Sequence, residues 1–426
     1  MKPKQPKPTP SSRRKSGKVA LQLKRAADVQ ITPARRRWFR LVAVVGPLLL
    51  LGWLELGLRL AGYGYPTSFF LDCHQGDRPM LTDNPQFGWR FFPPEVARAP
   101  QPLFLDAHKP SGTVRIFVLG ESAAMGDPEP AYGFARQLER LLQARHPNQT
   151  IEIVNAAMVA INSHVIREIA RDCAGRQGDF WLVFAGNNEV IGPYGAGTVF
   201  GRQAAGRTSV RLSLALQCMR VGQLLAQVGR RSSEPVNWDG LELFLGQQVP
   251  QVDPRLKTVY GNFAANLAEI AELGRQSGAT VMFATVPVNL RDSPPFASQH
   301  RLGLRPEELA QWEQDYAAAQ QAQGEGRWEE ALSGYRQAAQ IDDEFAQLVF
   351  QRARCELELK QTALADADFR TARDLDTLRF RTDSRLNQII RQTAAAKGVW
   401  LADADEQFDR QPEGIPGENF FFDHVH

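Results

Sequence analysis

The chain has 426 residues, 43% hydrophobic and 23% charged, which suits two or three folded domains and excludes a fibrous or wholly disordered protein. Its net charge of +3 is uneven: residues 1–40 hold thirteen Lys/Arg against the single acid Asp28, a local +12 that leaves −9 for the remainder. The basic balance belongs to a tail and gives no reason to assign nucleic acid as a partner of the folded part.

The Pro- and Lys-rich start of that tail reads as disordered. It runs into LVAVVGPLLLLGWLELGLRLAG, residues 41–62, long enough as a helix to cross the roughly 30 Å hydrocarbon layer. Glu55 and Arg59 interrupt the run, spaced to pair on one helix face. Arg35, Arg36, Arg37 and Arg40 flank its amino side, so the positive-inside rule predicts a cytoplasmic tail and an extracytoplasmic body, in the periplasm or on an outer face. A cleaved signal peptide is the rival reading, because the uninterrupted apolar stretch covers only 41–54. The forty-residue basic lead and the lack of an A-x-A site favour a retained single-pass anchor.

Residues 63–112 are rich in Pro and aromatics without clear periodicity and are expected to wrap the main domain. From 113 onward, short apolar runs alternate with amphipathic helices. Strands are predicted at 114–120, 150–156, 179–186, 279–287 and 399–403, with helices near 132–145, 162–174, 209–229 and 256–277. Continuous apolar strands alternating with helices predict an α/β fold, a three-layer α/β/α sandwich on a parallel sheet. The core domain is expected to span 113–300 and to resume at 381–426.

The intervening 301–380 is helical and internally repeated. Ala331, Tyr335 and Ala338 match Ala365, Phe369 and Ala372 at a period of 34 residues, which resembles tetratricopeptide repeats. Gly326 fits the pattern, whereas Lys360 replaces that glycine in the second copy. A docked insertion able to bind a protein partner is the expectation, and a plain helical hairpin is the alternative.

Four cysteines, Cys73, Cys173, Cys218 and Cys355, are too scattered for a zinc site and too few for a disulfide scaffold. Cys173 and Cys355 fall in helical patterns, where a buried free thiol is the ordinary reading. An exported body would permit a bridge without naming the pair.

The first core strand ends in RIFVLGESAAMGDPEP, residues 115–130. A parallel strand delivers Ser122 to the sheet's carboxyl edge, where α/β proteins place ligands. There a helix begins, with unpaired N–H groups and partial positive charge. An N-cap serine is the plain alternative. The second strand leads to NAAMVAINSH (155–164) and the third to AGNNEV (185–190). FFFDHVH (420–426) places Asp423 and His426 three apart, so that a carboxylate can fix an imidazole facing a nucleophile.

In this order the four segments resemble the SGNH (GDSL-type) hydrolases: Gly120-Glu121-Ser122, the Ala160 region, Gly186-Asn187-Asn188-Glu189, and Asp423-His424-Val425-His426. The resemblance covers about 113–290 and 385–426 and implies the flavodoxin-like fold of that superfamily. It makes Ser122 the nucleophile, His426 the general base and Asp423 its orienting partner. The oxyanion hole it implies comprises the N–H groups of Ser122 and Ala160 and the Asn188 amide. Glu121 and Glu189 stand where the family has Asp, and Ala160 where it has Gly. The family continues beyond its histidine with a covering helix, so the chain is expected to be cut short at that point.

Asn187, Glu189, Asn289 and Arg291 are candidate substrate contacts, with Asp292 beside them. Loop hydrogen bonding accounts equally well for 286–296. His164 reads as a structural histidine. His424 and His426 form an H-x-H pair with no second cluster, so no metal is expected. The run 189–197 lacks a phosphate-loop layout and is expected to form a mobile wall beside Asn188. No cofactor is implied. The expected function is a membrane-anchored serine esterase, its substrate an acylated glycan or lipid. The alternatives are an acyltransferase with a sugar acceptor, and an inactive scaffold that works through its repeats.

Overall fold

The computed structural model describes residues 32–230, 243–411 and 414–426; the basic tail before Thr32 lies outside them. The chain forms two units, Met1–Gly57 and Leu58–His426. The first carries most of helix α1 (Pro33–Leu60), whose apolar core has a mean hydropathy of 2.1 and none of whose side chains is buried. It starts eight residues before the apolar run because Pro33 suits a first helical position and Thr32 accepts the Arg35 N–H at 3.4 Å. The helix is long and apolar enough to cross a membrane.

In the second unit a three-stranded antiparallel sheet comes first: β1 (Phe70–Gln75), β2 (Arg78–Asp83) and β3 (Phe104–Asp106). The segment read as irregular from sequence thus contains a hairpin. Its signal was the two-residue link Gly76-Asp77, joining Gln75 to its partner Arg78, a loop type that closes tight hairpins. Phe69, Phe87, Phe91, Phe92 and Leu105 from this segment are buried in the main core with Phe117 and Trp181. Such burial stabilises by about 1.5–3 kcal/mol per side chain.

The central sheet is parallel, in the order β5-β4-β6-β7-β8. Its strands are β4 (Thr113–Gly120), β5 (Thr150–Asn155), β6 (Phe180–Phe184), β7 (Thr280–Ala284) and β8 (Trp400–Ala402). The α/β class and the parallel sheet expected from sequence are what the chain forms. On one face α7 (Arg255–Gln276) packs between α4 (Ser163–Cys173) and α12 (Ser384–Lys397). The other face carries α2 (Ser122–Met125) and α3 (Phe134–Arg145), with Phe134 edge-on to Phe184. Farther along that face Phe180 and Trp400 stay 38% and 59% exposed.

The single helix expected at 209–229 is a hairpin of two, α5 (Arg207–Gln217) and α6 (Arg220–Arg230). Tertiary bonds explain the break. Gln223 on α6 exchanges hydrogen bonds with the Tyr65 N–H and C=O at 3.0 and 3.1 Å, and Arg220 donates to the same carbonyl. Those bonds turn α6 away from the line of α5.

Between β7 and β8 stand α8 (Pro306–Gly324), α9 (Trp328–Ile341), α10 (Ala346–Glu358) and α11 (Thr362–Leu375). Ala331, Tyr335 and Ala338, and their counterparts Ala365, Phe369 and Ala372, are all buried. The same apolar cluster takes in Val288 and Leu290 after β7, and Ile415 and Val425 near the end of the chain. All four cysteines are free, Cys173 and Cys355 buried and Cys218 exposed.

Candidate active site

In this strand order the chain leaves β4 toward β5 on one side and returns past it to β6 on the other. The crevice between the ends of β4 and β6 is therefore the topological switch point, where open α/β sheets bind ligands. Ser122 follows β4 by two residues and opens α2, while Asn188 follows β6 by four. Gly120 permits the tight turn: a Cβ there would meet the Phe184 carbonyl oxygen at 2.2 Å.

Glu121 fastens the two strand ends together. Its Oε1 accepts the Gly186 N–H at 3.2 Å and its Oε2 the Asn188 N–H at 3.1 Å. Glu189 does the same for the next loop, accepting the Ser163 N–H at 3.0 Å and the Ser163 hydroxyl at 2.7 Å. That bond joins the β6 loop to the start of α4, three residues after Ala160. Met158 in turn donates its N–H to the Gly120 carbonyl at 3.3 Å. The loops bearing Ser122, Ala160 and Asn188 are thus tied to one another through Gly120, Glu121, Glu189 and Ser163.

Both glutamates are buried. Burial, with the nearby charge of Glu189, pushes the Glu121 carboxyl up to about 8. Burial also raises Glu189 to about 7, against the bonds from Ser163. At neutral pH the pair holds at least one proton, because two adjacent carboxylates cannot both ionise cheaply out of water.

The C-terminal segment reaches the same edge by separate ties. Asn289, beyond β7, donates its side-chain amide to the Asp423 carbonyl at 3.1 Å and its N–H to the His424 carbonyl at 3.1 Å. Arg381 donates to the carbonyls of Asn289 and Ser293 at 3.1 and 2.7 Å and pairs with Asp376 at 3.2 Å. Its neighbour Thr382 donates both N–H and hydroxyl to the Asn187 side-chain oxygen, at 3.0 and 2.8 Å. The GNNE loop, the re-entry point from the helical insertion and the D-x-x-H turn are therefore linked through hydrogen bonds and one peptide step.

Within that turn the His426 ring meets Asp423 Oδ2 through Nδ1 at 2.7 Å. Burial pushes the Asp423 carboxyl up, but the bonds from the His426 ring and from the Val425 and His426 N–H groups outweigh it and hold it well below the usual range. The other ring nitrogen, Nε2, is buried without a hydrogen-bond partner, and so is the Asn188 side-chain nitrogen. Buried polar atoms are normally satisfied. Here one base nitrogen and one donor nitrogen on the connected loops are both left open.

Three of the candidate substrate contacts are buried and bonded within the protein. Asn187 and Glu189 were candidate substrate contacts, but both are buried, at 3% and 1% exposure, and their oxygens are taken by Thr382 and Ser163. Asn289 is also buried and fully engaged, with its side-chain oxygen accepting the Asp292 N–H at 2.9 Å. These three hold loops in place. Arg291 remains half-exposed, paired with Asp292 at 2.9 Å and donating to Asn419 at 3.3 Å. His164 lies buried between Asn266 and Tyr194, and burial lowers it to about 4. His424 packs against Phe296, and burial lowers it likewise to about 4. Among the described residues no group of three or more His, Cys, Asp or Glu could hold a metal ion.

Sequence reasoning missed Arg381 and Thr382. Their signal was the run of arginines and aspartates in RDLDTLRFRTD (373–383), dense charge at the exit of an otherwise Ala-rich helical segment. Ala160 adopts a left-handed backbone with φ +62°, the conformation glycine takes most readily.

No protein-family model matches the chain, and no curated protein matches it. Among solved structures it is similar to a lipase/acylhydrolase from Enterococcus faecalis, with 11% identity, a TM-score of 0.29, and coverage of 71% of this chain and 87% of that one. It is similar to the acetyl xylan esterase AlAXEase at 9% identity and a TM-score of 0.32, covering 74% and 91%. It is also similar to TesA at 13% identity and a TM-score of 0.23, covering 41% of this chain and 62%, less than two thirds, of TesA.

Proposed function

We propose that the chain is a serine ester hydrolase of the SGNH type. The observation that carries this reading is the His426 ring, held by Asp423 at Nδ1 with Nε2 open, on a turn tied to the sheet edge that presents Ser122. Nε2 takes the proton of the Ser122 hydroxyl as its oxygen attacks the ester carbonyl, and the imidazolium formed is stabilised by the Asp423 carboxylate. The tetrahedral oxyanion is met by the N–H of Ser122, the N–H of Ala160 and the Asn188 amide. Collapse breaks the bond to the alcohol, which leaves with the proton from His426. Water then attacks the acyl-Ser122 intermediate, with His426 as base, and releases the acid.

An anchored extracytoplasmic body favours a large acylated substrate, a glycan or a lipid, over a small cytosolic ester. The test is hydrolysis of p-nitrophenyl acetate by the full chain in detergent, compared with Ser122→Ala. Release of p-nitrophenolate that vanishes in the variant supports the reading, and equal rates end it. Adding an acetylated glycan and following free acetate against transferred acetyl separates hydrolysis from transfer to a sugar hydroxyl.

A further inference from the structure

The hairpin α5–α6 turns an apolar face outward. On α5, Leu212 and Leu216 are 62% and 49% exposed, Met219 in the turn that follows is 38% exposed, and on α6 Leu225 and Val228 are 67% and 55% exposed. The spacings i, i+4 on α5 and i, i+3 on α6 place each pair on a single stripe. Among the described residues nothing covers these stripes, while Val210 and Leu214 on the opposite side of α5 are buried in the core.

Beside the apolar stripe lies a basic one. Arg207 and Arg211 of α5 line a cleft of about 410 Å³ together with Arg90, Arg167 and Arg171. Glu168 and Glu269, the acids in its wall, pair with all five arginines. Two acids against five arginines leave an excess of positive charge, presented by the half-exposed Arg171 and Arg207 at the mouth. An amphipathic surface with arginines along the edge of a leucine stripe is what binds the boundary between headgroups and acyl chains.

The chain itself sets where this surface must be. Leu60 ends the apolar helix, and Tyr63 follows three residues later, a reach of at most about 10 Å. Tyr63 donates its hydroxyl to Gln227 of α6, and Tyr65 is bonded to Gln223 of the same helix at 3.0 Å. The residues that leave the anchor are therefore held directly by the hairpin.

We infer that the α5–α6 hairpin lies in the interface of the membrane that α1 enters, its leucine stripes among acyl chains and its arginine cleft on the phosphates of anionic lipids. The inference rests on reading α1 as a retained anchor. Docked this way, the catalytic unit has a second, reversible contact with the bilayer.

Cys218, exposed at the turn of the hairpin, supplies the probe. The full chain carrying Cys73→Ser is labelled there with a nitroxide, since Cys173 and Cys355 are buried, and reconstituted into vesicles of phosphatidylcholine with or without phosphatidylglycerol. The expected result is loss of relaxation by a water-soluble nickel complex, relative to a label on Lys360→Cys in Cys73→Ser/Cys218→Ser, with further loss when phosphatidylglycerol is added. Leu212→Glu/Leu216→Glu/Leu225→Glu, all at exposed positions, should restore nickel access. Full nickel access at Cys218, in vesicles from which alkaline carbonate does not extract the chain, overturns the inference and leaves the anchor intact. Dipolar broadening that disappears on dilution with unlabelled chain also overturns it, because a second copy then covers the stripes. Extraction by carbonate ends the anchor reading, and this inference with it.

Discussion

Asp423 serves His426 twice: Oδ2 meets the ring Nδ1 at 2.7 Å, while Oδ1 accepts the N–H groups of His426 and Val425, each at 2.8 Å. One carboxylate therefore fixes both the ring's tautomer and the turn that carries it. Asp423→Asn keeps a side-chain oxygen for the turn but presents an amide to the imidazole, so the ring loses its charge partner and its tautomer reverses. Esterase kcat should fall by about 10³–10⁴-fold with little change in melting temperature. A drop of less than tenfold would remove Asp423 from the role of orienting partner of His426.

Asn188 offers a cleaner separation of chemistry from folding. Its backbone N–H binds Glu121, but its side-chain nitrogen has no partner in the protein. Asn188→Ala thus breaks no internal bond of that amide nitrogen, and removes the oxyanion donor proposed above. The expected loss is about 10²–10³-fold in kcat, roughly 3–4 kcal/mol of barrier, with KM nearly unchanged. A raised KM at constant kcat would make Asn188 a ground-state contact instead.

The buried glutamates make stability depend on pH. Each carboxyl sits above its ordinary value in the folded chain, Glu121 at about 8 and Glu189 at about 7, from 4.5. Between those limits the folded state holds protons that the unfolded chain has released, so stability falls as pH rises. It is full below about pH 4.5 and has been lost by about pH 8. Glu121→Gln, neutral at every pH, should flatten the fall in denaturant midpoint between pH 5 and 8 while leaving the part due to Glu189. An unchanged slope in the variant would show that Glu121 ionises normally inside the fold.

The five core strands were legible because each is a short apolar run closed by Gly, Asn, Asp or, after β7, Pro287, and buried parallel strands must look that way. The order of the first three site blocks was legible for the same reason, since each directly follows a strand, whereas Asp423 and His426 come about twenty residues after β8. What the sequence hid was direction. Asn187 and Glu189 sit in the same polar tetrapeptide as Asn188, yet they turn inward to Thr382 and Ser163. Nothing in spacing separates the residue that is left open from the two that fasten the loop. The break between α5 and α6 was hidden likewise, because it depends on Tyr65, 158 residues from Gln223 in the chain.

The two helical hairpins of the insertion give a test of their kinship. Gly326 turns the first hairpin with φ +73°, and Lys360, 34 residues on, turns the second with φ +63°. A side chain in the left-handed region costs about 1–2 kcal/mol, which glycine avoids at the expense of greater freedom in the unfolded chain. Lys360 is exposed, so its side chain brings no burial to offset that cost. Lys360→Gly should therefore stabilise the chain, by up to about 1 kcal/mol in urea unfolding, whereas Gly326→Lys should destabilise it by a similar amount. Substitutions with the same sign at both positions would mean that the two turns differ in solution, and the repeat relationship inferred from Ala331, Tyr335 and Ala338 would lose its structural support.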